Sequence, residues 1–154
     1  MLFHASFPAR EPERAARVLA ELWKGRALPF PVFPNSFIAV KGDDKGSAVE
    51  FYPAGQVLVP GPDGAEVQVR RPAEPSEAHL AIGVDLSEAE VLAIGQREGW
   101  RTETHNRGPF HVIELWIDNL YMLEILPPEF QAEYLGFATL ENFEKFFLPP
   151  ADAA

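Results

Sequence analysis

The chain has 154 residues, no cysteine, and 23 acidic against 13 basic side chains, a net charge of −10. That length suits one domain, or two small units on a shared core, and about 68–70% of the unfolded surface should be buried; the missing cysteines exclude disulfides, thiolate ligands and a thiol nucleophile. The acidic balance, with no basic cluster beyond Arg70-Arg71, argues against nucleic-acid and anionic-membrane partners, and without a leader pattern or an apolar run of roughly 20 residues a soluble, cytoplasmic protein is expected.

Residues 1–7 read as a strand ended by Pro8. Ala15, Val18, Leu19, Leu22 and Trp23 follow at helical spacing, with Pro12 suited to a first turn and Gly25 to the stop. Prolines 29, 31 and 34 exclude a central strand and place residues 27–34 on an edge or in a loop along one. Residues 36–41 and 47–52 read as two strands joined by a turn rich in Gly and Asp. The Pro- and Gly-rich residues 54–77 are either a hairpin around Gly61-Pro62-Asp63-Gly64 or a flexible linker.

The order then restarts. Residues 79–84 form a strand pattern, and Ser87 with Glu90 makes a capping box for a helix running to Gly99. Residues 100–105 read as another strand, 106–110 as a turn, and 111–118 with 120–126 as a hairpin turned at Asp118-Asn119. The aromatic tail after Pro128 is too apolar to be left in solvent and is expected to dock as helix, on the domain or on a second subunit. The expected fold class is α+β: a first βαβββ module in residues 1–53, a connector in 54–77, a second module in 78–128, and a tail in 129–154.

The internal repeat carries the candidate chemistry. His4 and His79 stand 75 residues apart near the starts of the two halves, and Glu50 and Glu124 stand 74 apart in their last strands. Each is flanked by apolar residues, so strand alternation projects all four from the face opposite those neighbours. A strand histidine taken singly is ordinarily structural and a strand glutamate ordinarily solvated. Four at matching positions can instead supply two imidazole nitrogens and two carboxylates to one divalent ion. His105, Arg107, His111 and Glu114 form a second polar group around the 106–109 turn, a gate or an anion contact if not merely solvated; Tyr52 and Trp116 share strand parity with Glu50 and Glu114 and could line the same face, with aromatic core packing as the expected role.

The duplicated order, with Leu2-Phe3-His4, Ala48-Val49-Glu50, His79-Leu80-Ala81-Ile82 and Met122-Leu123-Glu124-Ile125 as its most telling segments, resembles the vicinal oxygen chelate superfamily and in particular its glyoxalase I-like branch. The resemblance covers residues 1 to about 128. It implies a curved-sheet cup around a divalent ion (nickel, zinc, iron or manganese) held by His4, Glu50, His79 and Glu124, a small-molecule substrate with adjacent oxygens, and a homodimer. It further implies lyase or isomerase chemistry through an enediolate, with Glu124, or else Glu50, as proton acceptor. Another metal-dependent enzyme of the superfamily, an extradiol dioxygenase or an epimerase, and a non-enzymatic small-molecule or drug binder are the alternatives. Pro8 in place of an arginine, Ile117-Asp118-Asn119 in place of an Asp-Pro-Asp-Gly turn, and the long connector count against glutathione-linked methylglyoxal as substrate, though not against the metal.

Overall fold

The described residues of the computed structural model, 4–30, 34–61, 64–69 and 79–147, hold ten strands and four helices. Strand β1 (His4–Ala9) leads into helix α1 (Pro12–Trp23), whose Ala15, Val18, Leu19, Leu22 and Trp23 form the buried stripe that the spacing predicts. Three strands follow, β2 (Arg26–Pro29), β3 (Phe37–Val40) and β4 (Ala48–Pro53), in a sheet ordered β1-β4-β3-β2. The parallel β1–β4 pair is the product of the helical crossover, and the proline-bearing β2 is the edge strand.

The helix stop differs from expectation. Lys24, not Gly25, takes the left-handed conformation (φ 53°) and donates its backbone N–H to the last turn. Gly25 serves a different need, because a Cβ there would lie 2.1 Å from the carbonyl oxygen of Val40 on β3. The glycine lets the chain leaving α1 run against the sheet.

Strands β5 (Gln56–Gly61) and β6 (Gly64–Val69) form an antiparallel hairpin. The second module then repeats the first: β7 (Leu80–Gly83), α2 (Glu88–Glu98), β8 (Thr102–Asn106), β9 (His111–Ile117) and β10 (Tyr121–Leu126), in a sheet ordered β7-β10-β9-β8 with β7 and β10 parallel. The Ser87–Glu90 capping box opens α2, and Gly99 at φ 68° closes it. The β9–β10 hairpin turns through Asp118 and Asn119 at φ 55° and 57°, left-handed positions these two side chains tolerate.

Alternation sorts each strand. Val49 and Phe51 on β4, and Leu123 and Ile125 on β10, are buried with Phe7, Leu19, Leu22, Val91, Ile113 and Leu115 in one apolar cluster spanning both modules. Glu50 and Glu124 point from the opposite faces of their sheets. At the junction between modules Arg14 donates through Nε to Glu98 Oε2 (2.8 Å) and through Nη2 to the Glu98 carbonyl (2.6 Å), and its guanidinium lies 5.2 Å from the Trp100 ring centroid. Arg97 donates to Glu21 across the same junction.

The tail forms two helices, α3 (Pro128–Phe137) and α4 (Leu140–Phe147). Phe130 is buried, Gln131 donates to the carbonyls of Val84 and Leu126, and Tyr134 meets Phe110 edge-on at 4.9 Å. Leu135 and Leu140 are exposed in the single chain. Arg70-Arg71, the turn residues Pro62 and Asp63, residues 1–3 and Ala78 lie outside the described residues, as do the side chains of Phe143, Phe146 and Phe147. Among the described residues no helix is long and apolar enough to cross a membrane.

Candidate metal centre

The first half of the site sits on β1 and β4. Register places Ser6 and Ile38 directly beside Glu50 on its two flanking strands, and Tyr52 two residues further along β4 on the same face. Ser6 Oγ donates to Glu50 Oε2 at 2.8 Å, and the Tyr52 hydroxyl donates to the same oxygen at 2.7 Å. The other oxygen, Oε1, lies 3.9 Å from His4 Nε2. The Glu50 side chain is only 12% exposed and His4 61%, so a nearly buried carboxylate meets an accessible imidazole. Burial, with the Glu50 carboxylate as acceptor, pushes the Tyr52 hydroxyl up to about 12.

This arrangement suits a cation. Among the described residues no lysine or arginine pairs with Glu50, and a buried carboxylate held by two neutral hydroxyls is short of positive charge. With Oε2 occupied, Oε1 and His4 Nε2 are the atoms left to ligate. Donors each about 2.0–2.2 Å from one ion stand at most about 4.4 Å apart, so one ion can span the 3.9 Å between them. His4 also lines a cavity of about 250 Å³ with Ala48 and Val49 of β4 and with Ala81 and Ile82 of β7, which brings the first strands of the two modules to one opening.

The second half is arranged differently. Glu124 on β10 lies directly opposite Glu114 on β9, and both are largely buried, at 15% and 12% side-chain exposure. Arg107, from the turn after β8, contacts both through Nη2, at 2.5 Å to Glu114 Oε1 and 3.0 Å to Glu124 Oε1. Trp116 Nε1 donates to Glu114 Oε2 at 3.0 Å, and His105 Nε2 lies 3.7 Å from that oxygen. Burial pushes the Glu114 carboxyl up, but its Trp116 and Arg107 donors outweigh burial and hold it below its ordinary value. His79 is exposed and directly precedes β7, where Ala81 is in register with Glu124.

The structure thus brings His4 to Glu50, and Glu124 to Glu114 and Arg107. Among the described residues no three His, Asp or Glu side chains converge closely enough to hold an ion together. Of the second polar group, His105 and Arg107 gather at Glu114, with Arg107 also reaching Glu124, whereas His111 does not join them. Its Nδ1 lies 2.9 Å from Glu133 Oε2, its backbone N–H donates to the same oxygen, and its ring faces Phe130, so it fastens α3 to β9. Sequence reasoning did not single out Ser6; its position two residues beyond His4, on the same strand face, was the available signal.

No protein-family model and no curated protein matches the chain. Solved structures do. A fosfomycin resistance protein FosX from Mesorhizobium loti is 18% identical, with 86% of this chain and 95% of that one covered at a TM-score of 0.53. FosX from Listeria monocytogenes, solved with Mn(II) and sulfate, is 12% identical over 95% of this chain and 97% of that one, at 0.56. The trypanothione-dependent glyoxalase I of Leishmania major is 13% identical over 95% and 96%, at 0.52. Paired four-stranded sheets of matching order, each with a parallel first and last strand and a crossover helix, give the chain the fold it shares with these FosX and glyoxalase I structures.

Proposed function

We propose that the protein is a metal-dependent lyase or isomerase of the glyoxalase I-like kind, acting on a small substrate with two adjacent oxygens. The observation that carries this reading is Glu50: a nearly buried carboxylate, fixed through Oε2 by Ser6 and Tyr52, with Oε1 turned to His4 Nε2 and no lysine or arginine paired with it among the described residues. His4, Glu50, His79 and Glu124 are the proposed ligands. Their division between two sheets, with no three converging among the described residues, supports a homodimer that completes the site.

A bound divalent ion supplies Lewis-acid polarisation of the substrate oxygens. The chain's own groups do the rest. Ser6 and Tyr52 hold Glu50 in orientation through Oε2. Glu124 is the proton acceptor, taking the proton from the carbon beside the substrate's adjacent oxygens and returning it to the neighbouring carbon. The test is Glu124→Gln, assayed on hemithioacetals and vicinal diols beside the parent protein: turnover is lost while the circular dichroism spectrum is kept. Unchanged turnover in the variant refutes the assignment.

A further inference from the structure

Glu114 and Glu124 face one another across neighbouring antiparallel strands, both largely buried. Like charges directly opposite in a sheet repel, and burial sharpens the cost. A single nitrogen, Arg107 Nη2, contacts both carboxylates. The two contacts are unequal. Glu114 has Arg107 at 2.5 Å, Trp116 at 3.0 Å and His105 nearby, whereas among the described residues Arg107, at 3.0 Å, is the side-chain partner that Glu124 has. The guanidinium cannot lose its proton, so any cation approaching Glu124 meets a fixed positive charge already there. Arg107 is 37% exposed and sits in a turn whose Gly108 takes φ 93°, with its own N–H bonded to the Phe110 carbonyl.

We propose that Arg107 is a resident counter-ion that competes with the metal for Glu124. It holds that carboxylate in the metal-free protein, cedes it when a divalent ion binds, and stays anchored on Glu114. The proposal rests on Glu124 being a metal ligand.

The test is calorimetric titration of the full chain with Ni(II) and Mn(II), comparing the parent protein with Arg107→Gln. The variant binds about ten-fold tighter, the ratio expected when a competing charge-assisted hydrogen bond at a partly exposed site is removed. Metal-free, it melts below the parent, and added metal raises its melting temperature by more than it raises the parent's. The double variant Arg107→Gln/Glu114→Gln, which removes one carboxylate along with the arginine, guards against failure of the single variant to fold. It binds tighter than Glu114→Gln alone. Equal or weaker affinity on removing Arg107, in a parent that does bind metal, overturns the counter-ion and leaves the proposed function standing. Metal binding that emerges only when Arg107 is removed supports the counter-ion. No binding in any of the proteins overturns both.

Discussion

Replacing Tyr52 by Phe deletes one of the two hydroxyls that hold Glu50 Oε2, a 2.7 Å hydrogen bond to a carboxylate only 12% exposed. A hydrogen bond to a charged partner contributes about 1.5–3 kcal/mol. The hydroxyl also titrates higher in the fold, because burial first and the Glu50 carboxylate second disfavour its ionised form. Its value rises from 10.0 in the unfolded chain to about 12 in the fold, a shift worth at most about 2.7 kcal/mol and about 1–2 kcal/mol after solvent screening. Because the folded value is the higher one, this stabilisation is complete below pH 10 and fades as the pH rises towards 12. Urea unfolding of metal-free protein at pH 8 should therefore place Tyr52→Phe about 2 kcal/mol below the parent. At pH 11 the parent should have lost roughly 1 kcal/mol through this group and the gap should narrow accordingly. Equal stability at pH 8, or a gap that does not narrow at pH 11, would refute the hydroxyl–carboxylate pair as drawn.

Further expectations concern the frame around the site. Burial alone pushes the Glu98 carboxyl up, but the Arg14 and Arg97 donors outweigh it and hold the group below its ordinary value of 4.5. Its stabilisation is therefore present above that value and lost in acid, so Glu98→Gln should cost about 1–3 kcal/mol at pH 7 and approach the parent as the pH falls through the lowered folded value in urea unfolding. Gly25→Ala puts a Cβ 2.1 Å from the Val40 carbonyl and should cost at least about 2 kcal/mol. Gly99→Ala, with φ 68° and nothing within 4 Å of the added Cβ, should cost about 1 kcal/mol. Thermal unfolding of the pair separates steric exclusion from backbone conformation, and an equal loss in both would contradict the reading of Gly25.

Much of this fold is legible in the chain because its signals are local and doubled. The Ser87–Glu90 capping box, the apolar stripe of α1 and the alternation Val49-Glu50-Phe51 each involve near neighbours, and the second module repeats the order of the first. The same alternation places Tyr52 with Glu50, and Trp116 with Glu114, and both pairs are hydrogen-bonded. What alternation cannot supply is register between strands. The facing of Glu114 and Glu124 follows from where the Asp118-Asn119 turn sets the β9–β10 ladder, and the reach of Arg107 to both follows from a turn outside the sheet. His111 illustrates the same limit. Close in sequence to Arg107, it belongs instead to the docking of α3, through a glutamate 22 residues away. Gly25 reads locally as a helix stop, whereas its need arises from a carbonyl on a different strand.

The central claim is that His4, Glu50, His79 and Glu124 share one divalent ion, and elemental analysis tests it most directly. Untagged protein, purified without chelator, is analysed for nickel, zinc, iron and manganese per chain beside His4→Ala, His79→Ala and Glu124→Gln. The account predicts about one ion per chain in the parent and a sharp loss in each variant. No metal in the parent after incubation with all four ions, or undiminished loading in the three variants, would contradict it.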